Sequence, residues 1–206
     1  MTEVAVVDLG TGNLFSVLRG LERAGGTPKL VRDREAILAA SKVILPGVGA
    51  FADAAQRLRE LDLKPTFQEL VSRGTPVLGI CLGMQLLFEA GEEDGENEGL
   101  GLLPGRVVRL TGGQGLSVPH VGWQRLEIRE NCALLPEPGA APWFYFSHSY
   151  RANANPGDVA AIAFHGEDIP AVVAHGSLFG IQPHPEKSGD AGKAFLSRFL
   201  ALEGRA

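Results

Sequence analysis

The chain has only two cysteines, Cys81 and Cys132, in 206 residues. That is too few for a disulfide framework, and no C-x-x-C pair supplies the spacing of a zinc site. No stretch reaches the roughly 18 consecutive apolar residues of a membrane-spanning helix. No cluster of Lys and Arg interrupts a net charge of −5, so the basic face of a nucleic-acid binder is missing. There is no G-x-x-x-x-G-K-[ST] loop to cradle ATP phosphates. Gly10-Thr11-Gly12 could open a dinucleotide fingerprint, but Phe15 stands where its third glycine belongs. The start, Met1-Thr2-Glu3-Val4, lacks the basic residues of a secretory signal. These absences predict a reduced, cytoplasmic protein that holds no metal and binds neither membrane nor nucleic acid.

Hydrophobic residues make up 45% of the chain and charged residues 21%, a globular composition. The length suits one domain over 1–206, large enough to form a core without covalent staples. In the first half, short apolar runs alternate with helical spacing. Strands are predicted at Glu3–Asp8, Lys29–Arg32, Lys42–Leu45 and Pro76–Ile80. Helices are predicted at Leu14–Ala24, Arg34–Ala40, Ala50–Leu61, Thr66–Arg73 and Leu82–Ala90. That alternation predicts a parallel sheet covered on both faces. The second half reads as strands with short turns at Arg106–Leu110, Gln124–Ile128, Trp143–Tyr150, Val159–Phe164, Ala171–His175 and Ser177–Gln182, and then a helix at Asp190–Leu202. The expected fold is a three-layer α/β sandwich, its central sheet mostly parallel with an antiparallel extension. The acid-rich run Glu92–Glu98 reads as a solvated loop.

Gly79-Ile80-Cys81-Leu82-Gly83 sits where a predicted strand turns into a predicted helix. This G-x-C-x-G pattern follows nucleophile-elbow logic. The cysteine takes a strained backbone so that its sulfur stands above the sheet edge. The glycines let strand and helix pass closely. A helix N-terminus aimed at a sulfur favours thiolate. The competing reading is a buried cysteine between two turn glycines.

A thiol nucleophile needs a proton acceptor. Among five histidines, His184 is distinguished by its setting, Pro183-His184-Pro185-Glu186. Prolines on both sides hold the stretch extended, so His184 and Glu186 are expected on one side. The carboxylate would then fix the imidazole tautomer. Pro46-Gly47-Val48-Gly49 is a third feature, a glycine-rich turn after a strand. It also lies at the C-terminal sheet edge, where α/β proteins bind ligands. Such a loop can offer backbone N–H groups to an oxyanion, with the N–H of Leu82 as a second donor. A plain tight turn is the alternative. Cys132 has no such context and reads as packing.

Together, Gly-Ile-Cys-Leu-Gly-Met-Gln, Pro-Gly-Val-Gly and His-Pro-Glu resemble the class I (triad) glutamine amidotransferases. The matching parts lie at 46–51, 79–85 and 184–186. The resemblance implies a Cys81–His184–Glu186 triad hydrolysing L-glutamine, with an oxyanion hole from Val48 and Leu82. It implies that Gly49, Gln85, His148 and Ser149 hold the substrate, with no metal or organic cofactor. Asp8–Leu14, Pro119–Gln124, Tyr145–Tyr150 and His184–Ser188 resemble a narrower branch, the glutaminase subunits that hand ammonia to a (β/α)8 cyclase in histidine synthesis. The chain departs from that branch at Val121, Gln124 and Ser147. This resemblance implies a heterodimer with Asn13, Pro119, His120, Trp123, Gln124 and Lys187 at the interface, although Trp123 read alone fits a core position equally well. Three other readings remain open on the residues: a glutaminase serving a different synthase, a free-standing cysteine hydrolase, and a scaffold with a dead site.

Overall fold

The computed structural model describes residues 2–10, 14–112 and 115–203. β1 (Thr2–Val7), α1 (Leu14–Arg23), β2 (Gly26–Val31), α2 (Arg34–Leu38) and β3 (Val43–Gly47) open the chain in strict alternation. α3 (Phe51–Glu60) and α4 (Lys64–Ser72) then lead into β4 (Val77–Cys81). A single turn, α5 (Leu82–Gln85), is followed by β5 (Phe88–Gly91), β6 (Asn97–Glu98) and β7 (Leu103–Arg109). The remaining strands are β8 (His120–Arg125), β9 (Glu127–Ile128), β10 (Trp143–His148), β11 (Tyr150–Ala154), β12 (Val159–Phe164), β13 (Asp168–His175) and β14 (Leu178–Ile181). α6 (Gly189–Ala201) packs last.

The main sheet has eight strands in the order β2-β1-β3-β4-β14-β13-β12-β9. Its first five strands are mutually parallel, and β13, β12 and β9 extend it antiparallel. The period-2 alternation of β side chains divides the core between the two faces. Ala5, Val7, Val43, Leu45 and Val77 meet Ile37 of α2, Phe51 and Leu58 of α3, and Phe67 and Leu70 of α4 on one side. Val4, Val6, Ile44, Leu78 and Ile80 meet Val17 and Leu21 of α1 and Phe195, Leu196 and Phe199 of α6 on the other. The three-layer α/β sandwich follows directly from strands that are apolar on both faces. A four-stranded sheet (β11-β7-β5-β6) and a two-stranded sheet (β10-β8) flank it. Among the described residues, no helix is long and apolar enough to cross a membrane.

The structure differs from the sequence expectation in several places; the strand predicted for Gln124–Ile128, for one, breaks at Leu126 between β8 and β9, which belong to different sheets. The helix predicted for Leu82–Ala90 stops after one turn, and Phe88–Gly91 is a strand paired in parallel with β7. Leu86, Leu87 and Phe88 are all buried, so the segment is apolar on every side and has no period to separate helix from strand. The strand predicted for Trp143–Tyr150 breaks at Ser149 into β10 and β11, which belong to different sheets. Finally, Glu92–Glu98 is not all solvated loop, because Asn97–Glu98 pairs with β5.

Candidate active site

β4 ends at Cys81, whose backbone stands at φ 53°, ψ −111°, strained for a residue with a Cβ. The surrounding glycines make the turn possible. A Cβ on Gly83 would lie 1.7 Å from the carbonyl oxygen of Leu45. One on Gly79 would lie 2.6 Å from the carbonyl oxygen of Gly83. The elbow is therefore wedged against β3, and only hydrogen atoms fit at those two points. α5 is too short for a sizeable macrodipole, so it gives the sulfur less support than the nine-residue helix expected from the sequence.

His184 follows β14, which lies beside β4 with Ile181 opposite Ile80. Its main chain is fixed at both ends: its N–H donates to the Tyr145 carbonyl (2.9 Å), and its carbonyl accepts from Ser188 Oγ (2.6 Å). Residues Pro185–Lys187 form a 3-10 turn rather than the extended chain predicted. That turn brings Glu186 back to His184, with Oε1 2.8 Å from Nδ1. Both side chains are buried, at 4% exposure each. Burial alone would pull the His184 imidazole down, but hydrogen bonds with Cys81 and Glu186 and the charges there push it up to about 10.

Cys81, His184, Val48, Gly49, Leu82 and Gln85 line one cleft of about 440 Å³ together with Ser147, His148, Ser149, Tyr150, Pro119 and Lys187. Gly47 lets the Val48 turn sit on the elbow, since a Cβ there would lie 2.9 Å from Leu82 Cβ. His148 has both ring nitrogens engaged, Nδ1 with the Tyr150 carbonyl (2.8 Å) and Nε2 with His120 Nδ1 (3.2 Å). A carbonyl can only accept, so His148 carries its proton on Nδ1 and His120 donates. Burial holds both imidazoles down to about 4, and neighbouring histidines add to the effect. Both are neutral at pH 7.

The sequence reading did not single out as site residues Glu93, Ser147 and Tyr150, which line the cleft, or Gln182, which lies beside Cys81. Glu93, from the acidic run, lines the cleft and accepts from the Phe51 N–H at 2.6 Å. The available signal was the start of α3, where Ala50 provides no side-chain cap. Gln182 is fully buried and donates from Nε2 to Cys81 Sγ at 3.8 Å. Its signal was an amide side chain at the end of an otherwise apolar strand.

The expected interface residues scatter. Trp123 is half exposed, and Pro119 and Lys187 line the cleft. His120 is buried in this chain, stacked on Phe146 and His165. Gln124 alternates onto the face of β8 opposite Trp123 and lines a separate cavity with Phe164 and Asp168. Asn13 lies outside the described residues. Cys132 is a partly buried free thiol, and burial pushes it up. Among the described residues, no group of three or more His, Cys, Asp or Glu side chains is placed to hold a metal ion.

This geometry has counterparts among known proteins. The family described as "Glutamine amidotransferase class-I" matches residues 5–202. The imidazole glycerol phosphate synthase subunit HisH of Synechococcus elongatus is 46% identical over 201 residues, covering 96% of this chain and 92% of that one. The protein of the same name from Geobacillus thermodenitrificans is 46% identical over 211 residues, covering 98% and 97%. Among solved structures, a glutamine amidotransferase superposes with a TM-score of 0.74 at 24% identity, covering 95% of this chain and 98% of that one. PurLQS from Thermotoga maritima superposes with a TM-score of 0.76 at 22% identity, covering 97% and 98%. With the family matched over nearly the whole chain and full-length relatives close to half identical, this chain belongs to the class-I glutamine amidotransferases.

Proposed function

We propose that the chain is the glutaminase subunit of imidazole glycerol phosphate synthase, hydrolysing L-glutamine to glutamate and ammonia for histidine biosynthesis. The observation that carries the chemistry is a cysteine on a strained elbow that shares one cleft with a buried imidazole, itself hydrogen-bonded to a buried carboxylate. The full-length relatives named as that subunit support the pathway.

In this reading Cys81 Sγ, as thiolate, attacks the side-chain amide carbon of glutamine. Charge builds on the amide oxygen, and the backbone N–H groups of Val48 and Leu82 stabilise it. Losing one such donor typically costs ~3–4 kcal/mol of barrier. The His184 imidazolium protonates the departing ammonia. The neutral imidazole then takes a proton from water as that water attacks the γ-glutamyl thioester, releasing glutamate and regenerating Cys81. Glu186 holds the His184 ring and stabilises its cation. Gly49, Gln85, His148 and Ser149 hold the substrate, and the Glu93 carboxylate complements its α-ammonium group. The scheme draws on no metal or organic cofactor.

Ammonia released into water would be protonated and lost as a nucleophile, so the product needs a receiver. That receiver is a (β/α)8 cyclase subunit in a heterodimer. Val121, Trp123, Trp143 and Tyr145 alternate onto the outer face of the β8–β10 ribbon, next to the cleft rim. Trp123 and Trp143 are 51% and 52% exposed, and Lys187 Nζ stands 5.9 Å from the Tyr145 ring centre. Exposed aromatics of this kind make interface anchors. A free-thiol nucleophile also suits the reducing cytoplasm.

The test is glutamine hydrolysis by wild type and Cys81→Ser, alone and with the cyclase and its nucleotide substrate. The expected result is stimulation by the loaded partner and loss of at least about a thousandfold in Cys81→Ser, comparable to losing a triad nucleophile elsewhere. Hydrolysis indifferent to the partner would overturn the pairing. Hydrolysis surviving in Cys81→Ser would overturn the nucleophile.

A further inference from the structure

We infer that Gln182 is the hydrogen-bond donor that holds and stabilises the Cys81 sulfur as thiolate, its amide locked in the donating orientation through Gln85 and the Tyr150 carbonyl. The inference rests on the glutaminase reading only for its consequence, not for its geometry.

The orientation of a side-chain amide is ordinarily ambiguous. Here a backbone carbonyl removes the ambiguity. The Tyr150 oxygen can only accept, and Gln85 presents an amide group to it at 3.0 Å, so that group must be Nε2. The same Nε2 has one more hydrogen and places it 3.0 Å from Gln182. The Gln182 atom facing it must therefore be Oε1. That leaves the Gln182 Nε2 facing Cys81 Sγ, at 3.8 Å. Turning the Gln182 amide over would set two NH2 groups against each other and point an oxygen lone pair at the thiolate.

Gln182 is also fixed from behind. Its own N–H donates to the Ala171 carbonyl at 2.8 Å, and the residue has no solvent exposure. No reorganisation is needed when the sulfur becomes anionic. The donor is neutral, so it supports the thiolate without competing with His184 for the proton. At 3.8 Å the contact is long even for sulfur, so its effect is smaller than that of a short charge-assisted bond. The same N–H supports the sulfur again when the thioester breaks and thiolate leaves.

The experiment measures the rate of Cys81 alkylation by iodoacetamide against pH in the intact chain. The adduct is located by mass spectrometry, with Cys132 as internal reference. Gln182→Met keeps the volume and removes the donor. It is expected to move the Cys81 profile to higher pH by about 0.5–1 pH unit, a scale set by a weak hydrogen bond to a charged group. The Cys132 profile stays in place. Gln85→Met leaves Gln182 present but unlocked, and moves the Cys81 profile the same way by less. A Cys81 profile within about 0.2 pH unit of wild type in either folded variant overturns the inference. Failure of the wild-type complex to hydrolyse glutamine would remove the proposed function but leave the alkylation result to be read alone. An unchanged profile with intact hydrolysis would remove only the role of Gln182.

Discussion

Glu186 reaches His184 across a 3-10 turn, Oε1 to Nδ1 at 2.8 Å, and the pair is almost wholly sealed from water. A carboxylate in that position serves two ends. It selects the imidazole tautomer whose Nε2 can face Cys81, and it stabilises the cation that forms there. Its other oxygen, Oε2, is buried and has no hydrogen-bond partner among the described residues. That costs stability in the folded state and keeps the negative charge concentrated toward His184.

Glu186→Gln therefore preserves shape and removes charge. We expect kcat for glutamine hydrolysis to fall about 10²–10⁴-fold, by analogy with neutralising the orienting acid of other triads. KM should change little, because Glu186 does not line the substrate cleft. Steady-state kinetics in the presence of the partner would check the split.

The raised His184 group ties stability to pH. Its folded value of about 10 lies above the ordinary 6.5, so the folded state holds this proton more tightly than the unfolded chain does. The stabilisation is complete below about pH 6.5 and disappears as pH rises through about 10. Chemical denaturation at pH 7 and pH 10 should show wild type losing more stability than His184→Gln. Equal losses in both proteins would contradict the assignment.

Gly83→Ala should prevent the fold from forming normally. Its Cβ would sit 1.7 Å from the Leu45 oxygen, on a backbone that cannot yield without separating β3 from β4. Soluble yield and thermal melting would report this. Gly176→Ala is the control: its added Cβ meets nothing within 4 Å, although its own φ is +60°. Its cost should be only the left-handed penalty of roughly 1–2 kcal/mol.

If the proposed pairing holds, Trp123→Ala weakens binding to the proposed cyclase partner by about 30-fold or more, the scale of an interface hot spot. Its ring is half exposed, so the melting temperature of the isolated subunit should stay nearly unchanged. Titration calorimetry against the cyclase separates the two effects.

The elbow was legible because its constraints are local. Gly79 is required within the turn, where a Cβ would meet the Gly83 carbonyl, and the G-x-C-x-G spacing marks the turn in the sequence; that Gly83 is also required by the Leu45 carbonyl of β3 was not legible. His184 and Glu186 were legible because prolines restrict the segment, although a turn rather than extended chain joins them. Glu93 was not legible. An acid among Glu92, Asp94 and Glu96 looks solvated until β5 and β7 fold the run against the start of α3. The burial of His120 was not legible for the same kind of reason. Position in a motif says nothing about which face of β8 packs on Phe146 and His148.

The sequence by itself determined the alternating α/β order, the G-x-C-x-G elbow pattern and the His-Pro-Glu segment of the proposed triad, because each is written in a short stretch of neighbouring residues. Only the tertiary structure decided where Leu82–Ala90 stops being helix, which acids turn inward, and which amide faces the sulfur. Those outcomes depend on strand neighbours and hydrogen-bond partners that lie as far as 101 residues away in the chain, as Gln182 lies from Cys81. Local propensity carries no information about them.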